Sequence, residues 1–249
     1  MAIRLTDGSE FLHIPKTGGT WVISVLKEMK LFDKQVGHPH SDFDQSNHAF
    51  TSFEHLGSLL DKLGNRLLGR KTPIPTRFCV VRNPFSWYES WWKYQQGLGW
   101  PDWGSETSKY DWHPNSVLNG LQDNDFNEFV LKVLKKRPGY VSELYHSYTK
   151  TGIDYIAKTE SLRDHLQLIL NSMGFQFDPS LIENHGKRNE STVTDGINWD
   201  EKVKSMVLKV ELPAFLHYDY LEESQREEFA FDSRDGVHEA ILRVYKLAK

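Results

Sequence analysis

The sequence predicts an α/β fold in which helices flank a central parallel sheet. Apolar, strand-like runs alternate with segments of helical periodicity along the chain. The run at residues 77–81 is apolar throughout after its first residue, which is typical of a central strand covered on both faces. With 39% hydrophobic residues among 249, the chain can build a sizeable core. No repeat or linker divides it, so we expect a single domain over residues 1–249.

The first predicted elements are a strand, a loop and a helix. Residues 9–14 form the predicted strand, and the helix begins at Thr20. Apolar side chains then recur at spacings of one, three and four residues, which defines one apolar face. These side chains are Trp21, Val22, Val25, Leu26 and Met29. A second helix is expected over residues 53–68, before prolines break the chain ahead of the strand at 77–81.

Helices dominate the remainder of the predicted order. One helix should follow Pro84, and another should cover residues 126–137. Residues 153–157 are the third predicted strand, and a helix over residues 161–173 follows it. Asp200 is a suitable N-cap for the last main helix, because its carboxylate can accept hydrogen bonds from free backbone N–H groups.

Charge and cysteine content narrow the class of protein. The net charge of −4 provides no general attraction for nucleic acid or an anionic membrane, so neither partner is predicted. The single cysteine, Cys79, excludes an internal disulfide and suits a reducing compartment. The N-terminal residues lack the pattern of a signal peptide, and no apolar run is long enough to span a membrane. We therefore predict a cytoplasmic protein.

The segment at residues 11–22, FLHIPKTGGTWV, contains the clearest functional signal. Its strand passes through Lys16 and two glycines, Gly18 and Gly19, and then enters a helix at Thr20. This order points backbone N–H groups and the positive end of the helix dipole at whatever lies in front of the loop. Such a site favours a phosphate or sulfate group.

The order of residues argues against a conventional NTPase. A Walker A loop has Lys and then Ser or Thr after its last glycine, so that the hydroxyl can hold Mg²⁺. Here Lys16 precedes both glycines, and Arg82 follows the strand at 77–81 where a metal site would need an acidic residue. The alternatives left open are a nucleotide or small-molecule kinase with a divergent phosphate loop, and a nucleotide-binding protein without catalysis.

Arg82 and Ser90 form a second candidate site. Arg82 lies at the carboxyl end of a predicted central strand, where open parallel sheets bind their ligands. Ser90 comes eight residues later, about two turns into the helix that begins near Pro84. Either the two side chains bind a second phosphate, or Arg82 pairs with a carboxylate while Ser90 faces solvent.

The two motifs resemble those of the PAPS-dependent sulfotransferases. The run HIPKTGGTW at residues 13–21 is similar to their 5′-phosphosulfate loop, in the form found in the carbohydrate, Golgi-type branch and its bacterial relatives. Arg82-Asn-Pro with Ser90 is similar to their 3′-phosphate motif. The resemblance implies a P-loop-like three-layer fold. It also implies in-line transfer of a sulfuryl group from 3′-phosphoadenosine 5′-phosphosulfate (PAPS) to a hydroxyl of a carbohydrate or small metabolite, with PAP as product.

The resemblance also implies roles for individual residues. Lys16 should contact the oxygen that bridges phosphate and sulfate and stabilise its growing negative charge without a metal. Arg82 and Ser90 should hold the 3′-phosphate, with Lys187 and Arg188 closing over it. The loop residues expected around the 5′-phosphate are Thr17, Gly18, Gly19, Thr20 and Trp21.

The acceptor hydroxyl needs a general base, and histidine titrates in the useful pH range. The family resemblance places a His or Glu between the loop helix and the arginine strand. His38, His40 and His48 lie there, and we favour His40, followed by His38. The pair at 38 and 40 has no further ligands at a matching spacing, so we predict no metal site.

Tryptophan and tyrosine residues crowd the stretch from 87 to 112. Some must belong to the core, because these side chains bury large areas. The polar, loop-like segment at residues 97–114 is harder to explain by packing alone. We predict that it forms a wall or lid of the acceptor pocket, with Trp100 and Trp103 able to stack on a sugar or another ring.

Overall fold

The computed structural model describes residues 2–36, 40, 75–104, 113–149, 153–186 and 197–221. The chain divides into two compact units. The first comprises Met1–Val81 with Ser147–Asn189, and the second comprises Arg82–His146 with Glu190–Lys249. Each unit thus combines segments that are far apart in sequence, and the prediction of a single domain stays a prediction. The helix predicted over 53–68 lies outside the described residues.

The first unit is built on a five-stranded sheet with the order β3-β1-β2-β4-β5. The strands are β1 (Ala2–Leu5), β2 (Glu10–Leu12), β3 (Phe32–Val36), β4 (Arg77–Val81) and β5 (Tyr155–Lys158). The β2–β4 and β4–β5 pairs are parallel, whereas β1 is antiparallel to both β2 and β3. The α/β class is confirmed, and β4 is a buried interior strand that lies between β2 and β5. The sheet is mixed, however, and the prediction of a parallel sheet was wrong for its β1–β3 edge.

A tight turn explains why the sheet is mixed. Between β1 and β2, the N–H of Leu5 donates to the carbonyl of Ser9 over 2.8 Å. The Asp7 carboxylate accepts from the Ser9 N–H at 2.9 Å and from its hydroxyl at 2.6 Å. A connection this short can join antiparallel strands only, because a parallel pair needs a long crossover. The turn therefore adds β1 to the sheet in the antiparallel direction.

The described residues contain eight α-helices. They are α1 (Gly19–Glu28), α2 (Pro84–Leu98), α3 (Phe126–Lys136), α4 (Tyr140–Thr149), α5 (Leu162–Ser172), α6 (Ser180–Glu183), α7 (Glu201–Val210) and α8 (Leu212–His217). The predicted helices α1, α2, α3, α5 and α7 are confirmed. As predicted, Asp200 caps α7, and its carboxylate accepts from the N–H groups of Lys202 and Val203 at 2.9 and 3.1 Å. No described helix has both the length and the apolar character needed to cross a membrane.

In the first unit, alternate strand residues share a core with α1, α5 and α6. Ile3, Phe11 and Phe78 contribute to this core and are fully buried. The intervening residues point to the other face of the sheet, because side chains alternate along a strand. Of these, Cys79 is also fully buried, and burial raises the pKa of its thiol. Cys79 is therefore a small residue of the protein core.

The same sheet contains a buried ion pair. Glu10 on β2 is fully buried and accepts a hydrogen bond from Nε of Arg77 on β4 at 2.8 Å. The N–H of Arg77 donates to the Asp154 carboxylate at 2.7 Å, which attaches the start of β5 to β4. A buried charge is tolerated when it is paired and hydrogen-bonded. Glu10 and Asp154 therefore stabilise the contacts of β4 with its neighbouring strands.

In the second unit, a buried carboxylate stabilises the N-terminus of α4. Glu211 is fully buried and accepts from the N–H groups of Val141 and Ser142 at 3.0 and 2.7 Å. The hydroxyls of Ser142 and Tyr88 add bonds of 2.7 and 2.8 Å. First-turn N–H groups have no acceptor within their helix, and the helix dipole favours an anion there. Burial raises the pKa of Glu211, although these hydrogen bonds oppose the shift.

We expect Glu211→Gln to lower the free energy of unfolding by about 1–3 kcal/mol, because an amide NH₂ would face donors that need an acceptor. The folded-state pKa of Glu211 is raised above that of the unfolded chain. Its contribution to stability is therefore complete below the unfolded pKa and is lost as the pH rises through the folded pKa. The difference between wild type and variant should be largest at acidic pH.

Urea unfolding over a pH series measures this difference, and exposed Glu201→Gln serves as the control. A difference that grows towards neutral pH would contradict the assigned direction of the pKa shift.

Candidate functional site

The predicted phosphate loop connects β2 to the N-terminus of α1. Gly18 is the N-cap of α1 and has φ 88° and ψ 6°, a left-handed conformation. Lys16 has φ 66°, which is uncommon for a residue that carries a Cβ. The loop thus contains two left-handed residues, and only one of them is glycine. Strained conformations of this kind persist where the surrounding structure enforces them.

Two threonine hydroxyls enforce the shape of the loop. Thr17 is fully buried, and its hydroxyl donates to the carbonyl of Ile14 at 2.9 Å. The hydroxyl of Thr159 lies 2.8 Å from the carbonyl oxygen of Thr17 and 3.0 Å from that of Val81. Its single proton is therefore shared between the loop and the end of β4. No local sequence pattern points to Thr159, although it lies directly after β5.

The start of α1 presents free backbone donors. In the described part of the chain, no protein acceptor is hydrogen-bonded to the N–H groups of residues 17–20. The next two N–H groups, of Trp21 and Val22, both donate to the carbonyl of Gly18 at 3.0 and 3.2 Å. Thr20 is exposed. Four consecutive donors at the positive end of a helix make a suitable site for a phosphate or sulfate oxygen.

The side chain of Trp21 belongs to the core of the first unit and is 7% exposed. The guanidinium carbon of Arg163, on α5, lies 5.7 Å from the centre of a Trp21 ring. Arg163 also donates to the carbonyls of Glu183 and His185 at 2.7 Å each. These bonds tie the segment after α6 to α5. The N–H of Trp21 donates to the Gly18 carbonyl, so it is already engaged within the protein. The contribution of Trp21 to phosphate binding stays a prediction.

His40 lies beside this loop in the first unit. Its ring centre is 5.1 Å from that of His13, with 51° between the ring planes. The His13 ring rests directly against Gly19, where an added Cβ would overlap its atoms. The hydroxyl of Tyr148 donates to the His40 carbonyl at 2.5 Å. The sequence indicates His13 only as part of the loop motif, and nothing in the local sequence points to Tyr148.

Arg82 and Ser90 belong to the second unit. The Tyr145 hydroxyl bonds to both backbone groups of Arg82, donating to its carbonyl at 2.7 Å and accepting from its N–H at 3.2 Å. Asn83 caps α2, and its Oδ1 accepts from the N–H of Phe85 at 3.0 Å. With Pro84 at the first position, the Arg-Asn-Pro sequence starts the helix sharply. Ser90 lies on α2 and is half-buried.

Several predicted site residues lie outside the described residues. They are Lys187, Arg188, His38 and His48. Of the predicted acceptor wall, Trp103 is held by protein groups. Its indole N–H donates to Gln95 at 3.1 Å, and its backbone exchanges hydrogen bonds of 3.0 and 2.7 Å with the Asn119 amide. The role of this segment in acceptor binding stays a prediction.

No protein-family model, curated protein or solved structure matches this chain. The resemblance to PAPS-dependent sulfotransferases therefore rests on the sequence alone, chiefly on the loop at residues 13–21 and on Arg82 with Ser90. The geometry adds a strained loop with free N–H donors and a histidine beside it.

We expect Gly18→Ala to destabilise the protein by about 2 kcal/mol, because Cβ would be added in a left-handed conformation. The new Cβ would also lie 2.9 Å from Cδ2 of Leu162. Gly174→Ala is the matched control, since Gly174 has φ 84° and nothing within 4 Å of an added Cβ. It should cost about 1 kcal/mol, the backbone strain alone.

Urea unfolding of both variants measures the two costs. Equal costs would mean that close packing against Leu162 does not restrict this position.

Proposed function

We propose that this chain is a sulfotransferase that moves the sulfuryl group of PAPS to a hydroxyl of a carbohydrate or small-metabolite acceptor. The observation that carries the proposal is the set of N–H groups at residues 17–20, at the start of the ten-residue helix α1, which bond to no acceptor within the described part of the chain. Phosphate and sulfate oxygens are the acceptors that suit such donors. The donor set of the loop therefore fits the phosphosulfate end of PAPS.

We infer that the fold is P-loop-like, with three layers. In support, the loop follows β2, a strand paired in parallel with the fully buried β4, and it leads directly into a helix. In open α/β folds, ligands bind at the carboxyl ends of such strands. The mixed edge formed by β1 and β3 lies on the other side of β2 from β4. The antiparallel edge therefore does not alter the parallel pairing of β2 with β4.

In the proposed reaction, the loop holds the 5′-phosphosulfate. The backbone N–H groups of residues 17–20 and the Thr20 hydroxyl bind its oxygens. The acceptor oxygen forms a bond to sulfur while the bond from sulfur to the bridging oxygen breaks, so the released negative charge stays on the 5′-phosphate of PAP. The Lys16 ammonium stabilises that charge, and no metal ion is needed for this. The left-handed backbone of Lys16 fits a functional position.

We assign the 3′-phosphate to Arg82 and Ser90. Arg82 is the next residue after β4 in the chain, and Tyr145 holds both its N–H and its carbonyl. A guanidinium can donate two parallel hydrogen bonds to a phosphate, and the serine hydroxyl can add a third. We propose that Lys187 and Arg188 close over the same group. This phosphate distinguishes PAPS and PAP from AMP and ATP.

We propose His40 as the general base that takes the proton of the acceptor hydroxyl, with His38 as the second candidate. In support, the ring of His40 packs against His13, which in turn rests on Gly19 of the loop. A neutral imidazole is suited to this proton transfer near neutral pH. We retain the cytoplasm as the compartment because the one cysteine is reduced and buried.

Thermal unfolding with nucleotides tests the proposed donor. A ligand that binds only the native state raises the melting temperature. We expect PAP to raise it more than AMP does, because AMP lacks the 3′-phosphate, and ATP with Mg²⁺ to raise it least. Arg82→Gln and Ser90→Ala should remove the advantage of PAP over AMP, whereas Ser86→Ala, on the same helix, should retain it.

Equal stabilisation of the wild-type protein by PAP and AMP would contradict the roles of Arg82 and Ser90. Strongest stabilisation by ATP with Mg²⁺ would support the kinase alternative instead.

Lys16→Ala tests the proposed chemistry. We expect it to retain most of the stabilisation by PAP but to lose about 10²–10³-fold in turnover, the usual effect of removing a group that stabilises developing charge. Lys30→Ala is the matched control, because Lys30 is also a lysine with positive φ, 59°. Turnover is measured as PAP released from PAPS in the presence of a panel of sugar and small-metabolite hydroxyl acceptors. Turnover within threefold of wild type would exclude the assigned role of Lys16.

A further inference from the structure

We propose that Thr159 is a positioning residue that aims the Gly18 N–H at the anion bound in the loop. It does so by holding the carbonyl at the other end of the same peptide unit, which is that of Thr17. This inference rests on the proposed function for the nature of the anion, which is the phosphosulfate end of PAPS. All the contacts that support it lie within the first unit.

The peptide unit between Thr17 and Gly18 connects the two groups. Its bond is trans, as elsewhere in the described chain. In a planar trans peptide, the C=O and the N–H point in nearly opposite directions. The Thr159 hydroxyl oxygen lies 2.8 Å from the Thr17 carbonyl oxygen. The Gly18 N–H therefore points away from Thr159, and no acceptor in the described part of the chain bonds to it.

Gly18 by itself permits this peptide unit to face either way. Rotation of the unit changes the φ of Gly18, which is 88°. Glycine adopts positive and negative φ about equally readily, so both orientations are accessible to it. Thr17 itself is fixed, because it is fully buried and its hydroxyl donates to the Ile14 carbonyl at 2.9 Å. A rotated unit would withdraw the N–H and turn the Thr17 carbonyl oxygen towards the anion, where like charges repel.

Thr159 is suited to select one of the two orientations. Its hydroxyl also lies 3.0 Å from the carbonyl oxygen of Val81, at the end of β4. Because threonine is branched at Cβ, its side chain has few rotamers and the hydroxyl has a defined position. Leu162 follows on α5, and its Cδ2 would lie 2.9 Å from a Cβ added to Gly18. The segment at residues 159–162 therefore packs directly on the peptide unit whose direction it sets.

Thr159→Val tests the inference, because valine has the shape of threonine but no hydroxyl. We expect it to weaken the binding of PAP and of inorganic pyrophosphate by about 10-fold, the usual effect of losing one hydrogen bond to a charged group. Thr159→Ser retains the hydroxyl and should bind both probes as the wild-type protein does. Ser172→Ala is the control, since it also removes a hydroxyl that donates to a carbonyl, that of Leu168 at 2.8 Å. Isothermal titration calorimetry measures the dissociation constants.

The amide signal of Gly18 in the NMR spectrum reports the direction of the N–H itself. Saturating pyrophosphate should shift this amide proton downfield in the wild-type, Thr159→Ser and Ser172→Ala proteins, because a hydrogen bond to an anion deshields the proton. We expect the shift to be lost in Thr159→Val. A loss of stability alone would not remove it from the folded protein at saturation. If the valine variant folds poorly, Thr159→Ala removes the same hydroxyl with a smaller side chain.

A Gly18 shift in the valine or alanine variant equal to that of the wild-type protein would overturn the role of Thr159, and so would equal affinities. The two probes separate this result from the proposed function. If the wild-type protein binds PAP no more tightly than pyrophosphate, the sulfotransferase proposal fails, while the pyrophosphate comparison still decides the role of Thr159. If the wild-type Gly18 signal responds to neither probe, both proposals are wrong.

Discussion

The shared hydroxyl proton of Thr159 is the interaction on which the candidate site depends. The Thr159 hydroxyl oxygen lies 2.8 Å from the Thr17 carbonyl oxygen and 3.0 Å from that of Val81, and so joins the loop after β2 to the end of β4. Thr17 then turns its own hydroxyl back to Ile14, which closes the loop on itself. These bonds hold the loop in which Lys16 and Gly18 have left-handed backbone conformations.

Buried carboxylates support the two units in different ways. Glu10 pairs with Arg77 across β2 and β4, so the strands that carry the loop are also joined by charge. Glu211 instead receives the first N–H groups of α4. That helix provides Tyr145 to the backbone of Arg82 in the second unit.

The sequence motifs point to the residues that we propose for donor binding, but not to those that hold them in place. Short motifs, each within a few residues of sequence, were sufficient to identify Lys16, Gly18, Arg82 and Ser90 as candidates. The residues that support them act across 63 to 142 positions of sequence, as Tyr145 does for Arg82 and Thr159 does for Thr17. A tyrosine or threonine hydroxyl has no periodicity that points to so distant a carbonyl. His13 was visible in the motif, yet its contact with His40 depends on a ring-to-ring approach.

Short-range sequence patterns were sufficient to predict the α/β class and the buried strand β4. They also predicted the helices α1, α2, α3, α5 and α7. Apolar spacing and capping residues such as Asn83 and Asp200 act within a few positions, so they can be recognised without the fold. Only the tertiary structure decided the antiparallel edge of the sheet and the existence of α4. The strand β1 is four residues long, and α4 is rich in aromatic and hydroxyl side chains with modest helix propensity. The backbone groups of β1 are satisfied by β2 through a short turn and by the more distant β3, and those at the start of α4 by the distant Glu211.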